Sequence, residues 1–557
     1  MSILAWTEPS DQESSGVDHL GMRVAGEQAY SRFFDFTTSV TWRPRYYPFF
    51  CWLTRFAFIK AGGNLGAANN RIDLNIYRKV IKQVEYGIAA ATIINDPEFM
   101  HIAGSTKISE AIESSNTNQI LLKGDHLKAS SGGLSIYGGP MRNLGILASS
   151  VGVDIPLPGS PGDLLADMFD ESVKRCNAGN KLQDIVEIDD LKIIGNICSL
   201  SNFDTKAKEY DYINEELESL KDVIIDWDSF LSGSGKSARR ILSIGIILES
   251  RKLLPDEPYS LDRFRELTLL GAAKTNKEII QFSLPDTYNT ILKEWRAYQN
   301  QAYITYALES LLGVLLSFAL DLQATYGERL PYTFLIETAL NGIERGADLT
   351  KLVLPEDLSN WWDMSLSDLH EHLTNIVELG RKVDTLEPEI HNTLVENTKR
   401  LESANQYTWV HDASILLLLT LSRLTHLTTV DGEQVWLGGN EAFRLPPKVL
   451  NNIFLKHVQS EESIKAFLHY VYDKLVLEQH ASNALRKLFF QPNQDTAKFI
   501  REGENIIPLS LHGPGTSDPR YVNAVNYLQE LGFLTHSLTP LLTDEGELLR
   551  ERIARGF

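Results

Sequence analysis

The chain has 557 residues, 43% of them hydrophobic and 23% charged, with a formal charge of −20. That balance argues against a protein coated in nucleic acid or lying on an anionic membrane, and at roughly 100–200 residues per domain the length corresponds to about three to four units. Three widely spaced cysteines, Cys51, Cys176 and Cys198, exclude a zinc ribbon or a disulfide framework and fit a reducing compartment.

In chain order, the first fifteen residues carry acids and no basic-then-apolar pattern, so no signal peptide is expected. Residues 42–56 then hold seven aromatics and three arginines. Tyr46, Phe49, Phe50, Leu53 and Phe56 recur at helical spacing, and Pro44 and Pro48 bracket the helix start, where proline is tolerated. This composition has two readings. Either the aromatics form a core face while the arginines pair with neighbouring carboxylates, or guanidinium groups meet phosphates and aromatic faces stack on unpaired bases. Between residues 41 and 90, Arg43, Arg45, Arg55, Lys60, Arg71, Arg78, Lys79 and Lys82 oppose only Asp73 and Glu85, a local charge of +6. An anion bound anywhere is expected here.

Residues 137–144 (Tyr-Gly-Gly-Pro-Met-Arg-Asn-Leu) predict a sharp helix entry with Pro140 at the first helical position. Free amides there, helped by Arg142, could receive a phosphate. The breaker-rich stretch 152–162 predicts a boundary. Residues 187–192 (Glu-Ile-Asp-Asp-Leu-Lys) superficially resemble the acid-acid-lysine core of a metal-dependent nuclease, but the flanks read as helix with Gly195 as a break. Residues 232–237 resemble a P-loop whose leading glycine is replaced by Phe230, so a linker capped into a helix over 237–253 is expected instead.

Further helices are predicted over 205–222, 285–323, 365–382, 412–427, 446–457 and 461–487, the second of these capped by Asp286. The apolar runs 311–320 and 415–421 fall short of the roughly 20 residues a membrane span needs and read as buried helix. His370-Glu371-His372 cannot share a metal from one helix face, and His411-Asp412 and His426 lack a paired nucleophile motif. Asp431-Gly432 predicts a hairpin turn, and residues 496–500 a short strand. Beyond a loop at 511–519 come a helix over 521–531, a ribbon over 533–542 and a helix over 543–555 capped by Thr543. Helix 521–531 offers Asn523, Asn526 and Gln529 but no basic residue, which favours protein contact over base reading. Residues 144–147 and 162–165 are echoed at 531–534 and 546–549. In both, a helix ends on glycine, and a short ribbon and a new helix follow, as in the back half of a winged helix.

Arg-Tyr-Tyr-x-Phe-x-x-Trp at 45–52, Tyr-Gly-Gly-Pro-Met-Arg-Asn-Leu-Gly at 137–145 and Leu-Gly-Phe-Leu…Leu-Thr-x-x-Gly at 531–546 together resemble a class of large uncharacterised bacterial proteins. These resemble components of multi-gene anti-phage defence clusters that also encode helicases or nucleases. The likeness touches about a quarter of the chain and carries no catalytic residue.

The expectation is a mainly α, multi-domain, cytoplasmic protein. Its segments are an N-terminal helical domain (1–160), a helical middle (161–480) and a C-terminal winged-helix-like domain (481–557), with winged-helix-like helix–β-ribbon–helix units near both ends. The expected role is a non-catalytic subunit of a bacterial anti-phage defence complex that binds nucleic acid, a helicase- or nuclease-type partner, or both. The expected nucleic-acid-binding residues are Arg43, Arg45, Tyr46, Trp52, Arg55, Arg71, Lys79 and Arg142, with no catalytic residue, metal or cofactor. The alternatives are a nuclease or NTP-dependent enzyme with a dispersed site, and a pure scaffold.

Overall fold

In a computed structural model of the chain, the Tyr46–Lys60 helix begins where the two prolines place it, with Arg45 at its N-cap and Pro48 in its first turn. Its aromatics are buried almost all round, so it is a central core helix rather than an amphipathic surface one. The structure describes residues 18–556 except 66–70, 99–100, 116–117, 130, 150–154, 202, 204–208, 233–234, 275–278, 353, 355–357, 359–360, 379–385, 430–444, 491–495 and 516–519. The described chain is mainly helical. It packs as two units, each assembled from two separate stretches: residues 31–259 with 519–557, and residues 1–30 with 260–518. The sequence expectation cut the chain into consecutive segments at 160 and 480; packing instead gathers the C-terminal helices with residues 31–259.

In the unit formed by 31–259 and 519–557, the aromatic helix packs on Ser160–Cys176 and on Leu74–Asn95, and the latter also packs on Ile188–Cys198. Antiparallel pairs join Gln119–Leu121 to Ile185–Glu187 and Leu147–Ser149 to Pro156–Pro158.

The echoed segments have matching geometry here. The Leu134–Asn143 and Tyr521–Glu530 helices both end two residues before a glycine with positive φ, Gly145 at 71° and Gly532 at 80°. In each, the next amide reaches back five positions: Ile146 N–H donates to the Met141 carbonyl and Phe533 N–H to the Leu528 carbonyl, both at 2.9 Å. A strand pair follows in the first case and a single Leu534–Leu542 bridge in the second. The following helices, Ser160–Cys176 and Asp544–Arg555, start with Gly159 N–H on the Ile146 carbonyl and Thr543 N–H on the Phe533 carbonyl. Gly162 and Gly546 lie where any Cβ would strike those same two carbonyl oxygens.

In the other unit, the 38-residue Asn289–Tyr326 helix packs along Gln406–Thr429, which also packs on Tyr332–Leu349. Leu308, Leu312, Leu340, Trp409 and Leu416 belong to their shared core. Gly313 allows that closeness, since a Cβ there would meet the Trp409 ring at 2.7 Å. This helix is long and apolar enough to cross a membrane, but 89% of its most apolar stretch is buried within the protein, as in a core helix. A three-stranded sheet has the order Leu330–Pro331, Asn505–Pro508, Phe499–Glu502. A further helix, glycine and ribbon unit, Leu261–Leu270, Gly271 and Ala272–Lys274 paired with Ile279–Gln281, had no counterpart in the sequence reading.

Several local expectations are corrected. Pro140 is the seventh residue of a helix that starts at Leu134, not its first. Asp286 lies in a 3₁₀ turn, and the long helix starts at Asn289 without a side-chain cap. Gly195 does not break its helix; it packs against Ala91 and Asn95. The Asp431-Gly432 turn lies outside the described residues.

Candidate interaction surface

Arg45 is wholly buried. Its Nε and Nη2 donate to the two carboxylate oxygens of Glu216 at 3.0 and 3.1 Å, and Nη1 donates to the carbonyls of Ile197 and Ser199. Phe169 and Phe203 flank the guanidinium at 5.4 and 5.6 Å. Burial pushes the Glu216 carboxyl up, and the Arg45 charge pulls it back. Tyr46 is equally buried; its hydroxyl accepts the Ala103 N–H at 3.1 Å and its ring stacks on Tyr137. Trp52 donates its Nε1–H to Asp170 at 2.9 Å and stacks on Phe56. Arg43 is ion-paired with Glu530, and Arg55 with Asp167 at 2.7 Å, both largely covered.

The expected nucleic-acid platform is therefore corrected. Arg45, Tyr46 and Trp52 have no face to offer a base or a phosphate, Arg43 already meets the buried Glu530, and the largely covered Arg55 meets the exposed Asp167. Lys79 forms an exposed pair with Asp184, and Arg71 and Arg142 are exposed. The signal missed in the sequence was the acceptors: Glu216 lies 171 residues from Arg45 and Glu530 lies 487 from Arg43, so no local pattern announces either.

The helix start expected to hold a phosphate already holds a carboxylate. Gly133, preceding Leu134, donates its N–H to both oxygens of the buried Glu85 at 2.9 Å, with the His126 ring Nε2 3.5 Å from that carboxylate. The acid-acid-lysine stretch opens the Ile188–Cys198 helix, where Asp189 pairs with Lys192 and Asp190 with Lys181. Lys192 and the Asn118 amide hold the Asp189 carboxyl below the usual range.

The polar groups of Tyr521–Glu530 also face inward. Asn523 donates to the Thr41 carbonyl, Gln529 to the Thr535 and Ser537 carbonyls, and Asn526 accepts from the Tyr259 hydroxyl. On the final helix, Arg550 meets Glu249 at 3.0 Å and Arg552 lies over the Trp227 ring at 3.8 Å. Leu538 on the ribbon is 80% exposed and Leu548 on the helix 69%.

What remains open between residues 41 and 90 is a mixed patch. The Asp73 N–H donates to the Ala61 carbonyl at 3.1 Å, bringing the end of the aromatic helix beside the start of Leu74–Asn95. Around that join Ile59, Leu65, Leu74 and Ile76 are 53%, 55%, 42% and 44% exposed. Lys60, Arg71 and Arg78 are exposed among them. Ile59 and Ile76 lie off the buried faces of their helices, which could have shown them as outward-facing aliphatics. Compared with known proteins, the chain matches no family model, no curated protein and no solved structure.

Proposed function

We propose that this chain is a non-catalytic, cytoplasmic subunit of a bacterial anti-phage defence assembly that holds a partner protein through the patch around Ile59, Leu74 and Ile76. The carrying observation is the coincidence of exposed aliphatics with exposed Lys60, Arg71 and Arg78 on one short join. Exposed aliphatics ringed by charge fit a protein surface with an apolar centre and an acidic rim. A polyanion would instead meet the aliphatic groups without gain. The exposed leucines of the C-terminal unit support protein contact there too, because the helix that would read bases spends its amides internally.

The winged-helix reading belongs with this proposal. It is supported by the matched helix, glycine, ribbon and helix geometry at 134–176 and 521–555. Units of that shape serve protein contact as readily as DNA contact.

The test is co-expression with the proteins encoded beside this one, followed by size-exclusion chromatography. Wild type is expected to co-elute with one of them, and the Ile59→Glu/Ile76→Glu variant to elute alone with an unchanged circular dichroism spectrum. Co-elution of that variant at wild-type yield would refute the proposed surface. A nucleic-acid role predicts salt-sensitive binding that falls when Arg71 and Arg142 are both changed to Ala.

A further inference from the structure

A cavity of about 860 Å³ opens in the unit formed by 1–30 and 260–518, between Leu349, Thr350 and Lys351, the Leu386–Thr398 helix and the start of the Gln406–Thr429 helix. It lies at the upper end of the roughly 300–1,000 Å³ usual for small-molecule sites. Its lining includes Asp412, a wholly buried residue. One Asp412 oxygen accepts from the Thr350 hydroxyl at 2.9 Å and from His411 Nδ1 at 2.8 Å. The other, Oδ2, is buried with no hydrogen-bond partner.

His411 explains why this is a binding arrangement and not a catalytic one. The Trp361 indole N–H donates to its Nε2 at 3.2 Å, which assigns the imidazole proton to Nδ1 and directs it at Asp412. Both ring nitrogens are then occupied, and no lone pair is left to act as a base. The sequence marked His411-Asp412 as a pair without a nucleophile; the geometry turns that pair into a fixed carboxylate with one oxygen unsatisfied.

The rest of the lining mixes three acids with the neutral polar side chains of Asn392, Thr393, Asn397, Asn405 and Thr408. Glu389 adds a carboxylate, as do Glu266, paired with Arg263, and Glu396, in an exposed pair with Lys399 that a polyammonium would displace; Lys351 is the one cation among the described lining residues. Glu389 and Glu396 stand seven residues apart on one helix, about 10 Å along its axis at ~1.5 Å per residue. Leu349 and Pro388 supply apolar surface beside them. Among the described residues no three metal-ligating side chains converge, so a cation that brings its own N–H donors matches the lining better than a bare metal ion.

We infer that the cavity binds a linear alkyl polyammonium. One ammonium donates to Asp412 Oδ2, the others meet Glu389 and Glu396, and the methylenes lie on Leu349 and Pro388.

Isothermal titration calorimetry of the full-length protein with spermidine tests this, with magnesium chloride at matched ionic strength as the comparison. Saturable binding of spermidine is expected, and weaker binding by about tenfold or more in Asp412→Asn, since loss of one charge-assisted hydrogen bond is of that order. The Asn oxygen must keep accepting from Thr350 and His411, so its NH₂ would point where the ammonium donates. Should Asp412→Asn fail to fold, the rim variant Glu389→Gln/Glu396→Gln, exposed and remote from the core, decides the matter by the same loss. Absence of saturable heat with wild type, affinity unchanged in the rim variant, or equal heat from magnesium would overturn the inference; the first would leave Oδ2 a water site only.

Discussion

Arg45 and Glu216 show how a residue that looks like a ligand for phosphate is consumed by the fold. A buried ion pair adds little net stability, but removing one partner strands the other charge, at a cost of about 3–5 kcal/mol. Arg45→Ala is therefore expected to lower the unfolding free energy by that order in urea denaturation. Arg45→Met combined with Glu216→Leu should recover most of the loss. A loss under about 1 kcal/mol for Arg45→Ala would contradict the buried pairing. The histidines make a second prediction. Burial pulls His480 down to about 4, and burial together with Arg265 pulls His391 down to about 3. His19 and His512, whose ring centres are 3.9 Å apart, are lowered in the same direction. In the unfolded chain these imidazoles take up protons near pH 6.5, so below that the unfolded state binds more protons than the folded one. Stability should hold above about pH 6.5 and fall as pH drops towards 4, with His480→Gln flattening the slope in a pH series of denaturation curves. None of this was readable beforehand, because the groups that bury and pair these residues are distant in the chain.

At the scale of elements the sequence was more legible. The Thr543 cap, whose hydroxyl accepts the Gly546 N–H at 3.0 Å, and the long apolar helix both follow from local rules of capping and periodicity. The echo between 144–165 and 531–549 was visible as a glycine pattern, and it reappears as the same backward hydrogen bond and the same glycine-to-carbonyl approach. The errors have local causes too. Pro140 was placed at a helix start because the Gly138-Gly139 pair looked like an entry, whereas the preceding Gly133 and the distant Glu85 set the true N-terminus. Glycines that look alike are expected to respond differently. Gly546→Ala drives a Cβ into the Phe533 carbonyl and should cost about 1–3 kcal/mol, as overpacking does. Gly138→Ala, in a helix where a Cβ would touch only the end of the exposed Arg142 side chain at 3.4 Å, should stabilise by about 0.4–1 kcal/mol. Thermal denaturation of the two variants separates them; equal effects would mean that the glycine approach is not a constraint.

For the whole molecule, the formal charge of −20 and the basic island at 41–90 looked contradictory. The structure resolves part of that tension inside the unit formed by 31–259 and 519–557, where Arg43 and Arg45 meet buried acids and Arg55 pairs with Asp167 at the surface. What stays exposed is smaller and mixed with aliphatic side chains, the kind of surface that binds another protein. Composition could show an excess of positive charge but not which cations were spent internally, because that depends on long-range packing. Hydrogen–deuterium exchange on the chain alone and in complex with a co-expressed neighbour tests this assignment most directly. Amides at 59–65 and 71–79 are predicted to slow on complex formation, while those at 46–56 stay equally protected in both states. A complex that forms without slowing at 59–65 and 71–79 would contradict the account.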